Sequence, residues 1–130
     1  MIGGQVDLMF DAVTTMAEQV RAGKVKAIAT TGKVRSDVLP DVPTLNESGV
    51  PGYEATIWLG LMAPKGTPKA VVDKLNDAVS KISAQAEVRQ LWARQGAVPM
   101  VMNPEAFEKY TRDDILKWAH VIKSAGIKAD

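Results

Sequence analysis

Two hydrophobic periods alternate along this chain, and that alternation limits its fold more than any other feature. The run 6–10 (VDLMF) is short and almost continuously apolar, the pattern of a strand covered on both faces. Val13, Met16, Ala17 and Val20 then recur at i, i+3, i+4 and i+7, which predicts a helix with one buried stripe. Gly23 ends that helix, and Arg21 lies in its last turn, where a cation suits the helix dipole. A second apolar run, 25–31 (VKAIATT), completes a βαβ unit, whose crossover is expected to be right-handed.

The alternation continues downstream. Pro40 and Pro43 keep 32–43 as loop, 44–48 can form one helical turn, and Gly49 stops it. Pro51-Gly52 marks a turn. The segment 53–63 (YEATIWLGLMA) is the longest extended candidate, with Gly60 marking a bend or a close backbone approach. A strand of that length often passes from one domain to another. Thr67-Pro68 predicts a helix start, with Thr67 as N-cap and Pro68 at the first helical position. Val71, Leu75, Ala78, Val79 and Ile82 form its expected buried stripe. A shorter helix over 86–95 buries Val88, Leu91 and Trp92, and Gly96 closes it. After a last short strand at 98–102, Asn103-Pro104 repeats the cap and proline device before a helix carrying Phe107, Tyr110, Ile115, Trp118, Val121 and Ile122. Alternating elements of this kind specify an open α/β sheet. Only four strand candidates occur, against a mean of about 5–6 strands per sheet. The expectation is that neighbouring strands lie outside these residues.

Composition excludes several functions. With 46% hydrophobic residues in 130, the chain has material for a core. Sixteen basic against fifteen acidic residues leave a net charge of +1, without the basic excess of a protein that lives on phosphates. The absence of cysteine excludes a disulfide scaffold, a thiolate zinc site and thiol catalysis. No apolar run approaches the roughly 20 residues of a membrane span, and no leader-peptide pattern stands at the start. Neither G-x-G-x-x-G after a strand nor G-x-S-x-G, H-E-x-x-H or an EF-hand spacing occurs. The stretch 60–67 (GLMAPKGT) places Lys65 before its second glycine, so it reads as a strand end, a loop and a helix cap rather than a phosphate loop. His120 is the single histidine and lies off the apolar stripe, and the Asp113-Asp114 and Asp37/Asp41 pairs read as solvated charge. No catalytic group, metal or cofactor is expected.

One place suits ligand chemistry. In open α/β sheets, ligands bind beyond the carboxyl ends of the strands, where helix N-termini point. Phe10-Asp11-Ala12-Val13-Thr14-Thr15 joins the first strand to the first helix. Free backbone N–H groups there, with the Thr14 and Thr15 hydroxyls, can hold a carboxylate. Asp11 fits two roles, helix N-cap and ligand-facing acid. An anion meeting it directly would be repelled, so a bridging water or a protonated group would be needed. Thr30-Thr31-Gly32-Lys33, at the end of the second strand, is a further candidate, and it also reads as a polar surface loop. Trp58 could wall a cleft, although it, Trp92 and Trp118 read mainly as packing residues.

An ordered set of phrases then resembles one family. Gly3-Gly4-Gln5-Val6-Asp7-Leu8-Met9-Phe10-Asp11 is followed by Val20-Arg21-Ala22-Gly23-Lys24-Val25-Lys26-Ala27-Ile28-Ala29. Arg35-Ser36, Leu39-Pro40-Asp41-Val42-Pro43-Thr44 and Gly49-Val50-Pro51-Gly52-Tyr53-Glu54-Ala55 come next. Trp58-x-Gly60-x-x-Ala63-Pro64, Gly66-Thr67-Pro68, Lys117-Trp118 and Ala125-Gly126-Ile127 complete the set. Together they resemble the Bug family, the extracytoplasmic solute-binding proteins of tripartite tricarboxylate transporters. The resemblance implies an α/β fold of the periplasmic binding protein type (type II), two domains around a cleft, with this chain as a C-terminal fragment. It implies that 1–57 belongs to the second ligand-binding domain, and that 58–130 comprises the crossing strand and the helices returning to the first. It further implies a periplasmic location, a small carboxylate ligand, a membrane permease as partner and no catalytic activity. Phe10, Asp11, Ala12, Thr14 and Thr15 would line one wall of the cleft. With its neighbours elsewhere, the isolated chain is expected to dimerise or exchange strands. The competing expectation is a small stand-alone α/β enzyme or regulatory domain, which the poverty of catalytic motifs disfavours.

Overall fold

The computed structural model describes residues 1–128, with four helices in chain order: α1 (Val13–Arg21), α2 (Lys69–Ala84), α3 (Ala86–Arg94) and α4 (Pro104–Ser124). Local chemistry sets where they stop. At the end of α1, Gly23 takes φ +67°, its N–H donates to Val20 O at 3.0 Å, and Lys24 N donates to Gln19 O at 3.0 Å. Those two bonds are a Schellman end, which needs a residue free of the Cβ penalty at positive φ. Gly96 closes α3 in the same way, with Gly96 N donating to Ala93 O at 3.0 Å and Ala97 N to Trp92 O at 2.9 Å.

The helix starts follow the sequence less uniformly. Asn103 caps α4 as expected, its side chain accepting from Ala106 N at 2.8 Å, with Pro104 opening the first turn. Thr67 behaves differently from the expected N-cap. Its hydroxyl donates to Pro64 O at 2.9 Å, which turns it into the preceding loop, and the α2 bonds begin at the Pro68 carbonyl.

The expected strands at 6–10, 25–31, 53–63 and 98–102 do not form a sheet within the described residues. One parallel bridge joins Thr30 and Thr44. Thr30 N donates to Pro43 O at 2.8 Å, Leu45 N donates to Thr30 O at 2.9 Å, and Ala55 N donates to Thr31 O at 2.9 Å. An apolar run becomes a strand only when a neighbour supplies its donors and acceptors, and these three contacts are the start of such a ladder.

Contacts divide the chain into two units: Met1–Met62 with Gln85–Pro99, and Ala63–Ala84 with the residues from Met100 onward. The segment holding α3 groups with the first unit, although it lies beyond the expected 57/58 boundary in sequence. Its anchor is Gly96, where a Cβ would stand 2.7 Å from Val38 Cγ2 and 2.8 Å from Val13 Cγ1. In the second unit α2 packs on α4, and the Asn76 side chain donates to Met102 O at 2.9 Å.

Burial departs furthest from the expectation. Ala17, 3% exposed, is the buried hydrophobic residue among those described, with Thr44 and Ser83 as buried polar ones. The α2 stripe of Val71, Leu75, Val79 and Ile82 is exposed, and the more buried positions are Val72, Asn76, Ser80 and Ser83, along another side of the helix. The accessible surface is 10391 Å². Even two separate compact bodies of these sizes would expose only about 8,000 Å² together. More than 2,000 Å² of surface therefore stands open that a self-contained fold would cover, by the same rough scaling.

Candidate functional site

The start of α1 gathers three of the five predicted site residues. Ala12, not Asp11, is the N-cap, with φ −72° and ψ 140° and no side-chain capping bond. Asp11 stands one position earlier and acts on the cap indirectly. Its Oδ1 accepts from Ala12 N at 2.7 Å and lies 3.1 Å from the Thr15 hydroxyl. The same hydroxyl lies 2.8 Å from Ala12 O, so one proton serves two acceptors. Thr15 N and Met16 N both donate to Ala12 O at 3.1 Å. Among the described residues no acceptor meets the N–H groups of Val13 and Thr14. An alanine cap forgoes about 1 kcal/mol relative to serine or aspartate, and it leaves those two donors for an outside group. Phe10 is 75% exposed, and Thr14 is exposed as well. Neither takes part in the hydrogen bonds that join Asp11, Ala12 and Thr15.

The second candidate segment has a different construction. Lys33 Nζ lies 3.4 Å from Glu54 Oε2, so its charge faces a carboxylate of the chain itself. Thr30 is fixed through its main chain to 43–45, and its Oγ1 is buried without a partner. The adjoining loop is held by groups that the sequence reading passed over. Thr44 and Glu47 form a capping box: Thr44 N donates to Glu47 Oε2 at 2.7 Å, and Glu47 N donates to Thr44 Oγ1 at 3.1 Å. Arg35 Nε lies 3.1 Å from both Glu47 oxygens, and its Nη1 donates to Pro40 O at 3.2 Å. The Arg35 hydrogen bond and the Thr44 N–H hold the Glu47 carboxyl down to about 2 from its ordinary 4.5. Glu47 in turn raises the Arg35 guanidinium further. The spacing Thr44-x-x-Glu47 was a readable signal for this box. The pairing with Arg35, twelve residues away, was not.

His120 is exposed, and no group of three or more His, Cys, Asp or Glu that could hold a metal stands among the described residues. No described helix is long and apolar enough to cross a membrane.

With this geometry, similarity to known proteins becomes informative. The solved periplasmic binding protein BugD is 41% identical, with a TM-score of 0.91, covering 99% of this chain and 44% of its own. MatC from Rhodopseudomonas palustris, solved with bound malate, is 39% identical with a TM-score of 0.81, covering 93% of this chain and 42% of its own. The protein BugT of Bordetella pertussis is 32% identical over 128 residues, 98% of this chain and 39% of that protein. The chain thus spans about two fifths of the length of the relatives it matches. The fold is that of a periplasmic binding protein, an α/β architecture of two domains of which these residues form part. A family model described as the tripartite tricarboxylate transporter family receptor matches residues 1–127, and the chain belongs to that family, with the Bug proteins among its relatives. The backbone course of those proteins is retained here, while the ladders and the core that would complete a sheet are not formed within the described residues.

Proposed function

We propose that this chain is part of the extracytoplasmic receptor of a tripartite tricarboxylate-type transporter, which binds a small carboxylate in an interdomain cleft and delivers it to a membrane permease. The observation that carries this reading is the pair of unengaged N–H groups at Val13 and Thr14, beside Asp11, in a chain whose relative MatC holds malate. Backbone N–H groups at a helix start attract an anion through both hydrogen bonding and the helix dipole. Phe10 offers an exposed ring as an apolar wall, Ala12 keeps the approach open, and Thr14 and Thr15 supply hydroxyls. Asp11 opposes direct contact with an anion, so it serves a ligand hydroxyl, an ammonium or a bridging water. No step of this function is catalytic, and the receptor works in the periplasm, where the family operates. Residues 1–57 are assigned to the second ligand-binding domain, and 58–130 to the crossing strand and the helices returning to the first.

Titration calorimetry of malate into the full-length receptor carrying these residues tests the site. Asp11→Ala is expected to weaken binding about tenfold, equivalent to roughly 1.4 kcal/mol, with little change in melting temperature. A loss of stability with unchanged affinity would leave Asp11 a structural residue and remove it from the site.

The same reading extends to the isolated chain. Its open apolar surface favours a homodimer or a strand exchange when residues 1–130 stand alone.

A further inference from the structure

We infer that Gly96 is a positioning residue for carboxylate binding: having no side chain, it lets Val13, and with it the open N–H groups at the start of α1, stand where a ligand can meet them. This rests on the receptor function proposed above. Gly96 follows α3, far along the sequence from α1, but both lie in the first of the two units. A Cβ built on Gly96 would stand 2.7 Å from Val38 Cγ2, 2.8 Å from Val13 Cγ1 and 3.4 Å from Ser36 Oγ. Carbon atoms in ordinary contact are about 3.5–4.0 Å apart, so a side chain here would push a neighbour by on the order of 1 Å. Val13 is the first residue of α1, and its N–H is one of the two that meet no acceptor among the described residues.

Of the groups that meet at this point, Val13 is the one least held. Gly96 is fixed by its own N–H on Ala93 O at 3.0 Å and by Ala97 N on Trp92 O at 2.9 Å. Val38 lies in a turn closed by Leu39 N on Ser36 O at 2.9 Å and by Val42 N on Leu39 O at 3.1 Å. The Val38 carbonyl also accepts from Arg21 Nη2 at 3.3 Å, so the same loop grips the last turn of α1. The first turn has no such hold, because the Ala12 cap contributes no side-chain bond. Valine in a helix keeps largely one χ1 rotamer, so crowding at Cγ1 shifts the backbone rather than turning the side chain. The N–H groups of Val13 and Thr14 move with that backbone. Their bonds to a carboxylate need an N···O distance of about 2.7–3.2 Å, and a misplacement of about 1 Å is enough to spoil a preorganised site.

The test is titration calorimetry on the full-length receptor carrying these residues, with malate, adipate, citrate and glutamate as probes, at a temperature where each variant is folded by circular dichroism. Gly96→Ala is expected to bind the preferred probe about tenfold more weakly. The control is Gly23→Ala, at the other end of α1 with φ +67° and open space around it, which should stay within about threefold of the parent. A glycine needed only for stability would lower the melting temperature and leave the affinity of the folded receptor unchanged. The amide resonances of Val13 and Thr14 should shift in ligand-free Gly96→Ala and not in Gly23→Ala. If Gly96→Ala fails to fold, adding Val38→Ala frees the loop side and leaves Val13 as the group the new methyl presses; that pair is expected to fold and to show the same loss. Unchanged affinity in whichever variant folds overturns the inference. So does a loss without the amide shift, an equal loss in Gly23→Ala, or failure of both Gly96 variants to fold, which makes the contact a condition of folding rather than of binding. If the unsubstituted receptor takes up none of the probes, the receptor reading itself fails; binding by the parent with an unaffected Gly96→Ala overturns the Gly96 inference alone.

Discussion

The loop 32–48 and the extended segment 53–62 are close in sequence and opposite in how they are held. The loop contains two prolines and five Val or Leu side chains, and in it Arg35, Thr44 and Glu47 satisfy one another while Gly96 packs against its Val38 and Ser36. The extended segment is rich in large apolar residues and leaves most of them open: Tyr53 and Trp58 are half-buried, but Ile57, Leu59, Leu61 and Met62 are exposed, Leu59 at 97%. Polar bonds of short reach close within the chain, whereas hydrophobic burial needs opposing surfaces, and more than 2,000 Å² of the total surface here stands open on rough scaling. The comparison separates what this stretch of polypeptide stabilises by itself from what it contributes to a larger body.

The largest effect is expected in the extended segment. Alone at high concentration, residues 1–130 should scatter light as a dimer or larger species, and the double substitution Leu59→Asp with Leu61→Asp should shift the population toward monomer. In the full-length receptor the same pair should cost several kcal/mol, on the order of two buried leucines lost and two charges placed in an apolar site. A chain that is monomeric with or without the pair would show that the exposed face has no affinity for itself.

An intermediate effect tests whether the loop is held from within. Gly96→Ala introduces a Cβ at φ +75° that would meet Val38 Cγ2 at 2.7 Å and Val13 Cγ1 at 2.8 Å, so about 2–3 kcal/mol of destabilisation is expected in urea unfolding. Gly23→Ala, at φ +67° with open space around it, should cost about 1 kcal/mol. Equal costs at the two positions would mean that α3 does not press on the loop.

The smallest effect concerns protonation. Glu47 is held at about 2 against an ordinary 4.5, so between those values the folded state binds fewer protons than the unfolded one. Stability from the Arg35–Glu47–Thr44 clasp is thus fully present above about pH 4.5 and is lost as pH falls through about 2. Glu47→Gln should flatten the unfolding midpoint across that window and leave its value near neutrality only slightly lower, because the pair is exposed to solvent.

The sequence announced its helices well because their signals are local. The Val13–Val20 stripe with Gly23, Gly96 after α3 and Asn103-Pro104 before α4 each act within one turn. Strands were legible only as apolar runs, since the ladder that makes a strand is a relation between segments. The α2 stripe of Val71, Leu75, Val79 and Ile82 was correctly apolar, but burial is decided by what lies opposite. At the candidate site the loop 10–15 and Asp11's nearness to the helix start could be read from residue order. The shift of the cap to Ala12, the reach of Arg35 to Glu47 and the stranded hydroxyl of Thr30 depend on backbone path and packing, which residue order does not carry.

The cap at Ala12 has a consequence of its own. A helix that begins on a methyl group begins incomplete: its own cap offers nothing to the N–H groups of Val13 and Thr14, so an acceptor for them has to come from elsewhere. Under the function proposed above, release of the acid and fraying of the first turn of α1 become one event, so amide exchange at Val13 and Thr14 should slow when malate is added to the full-length receptor.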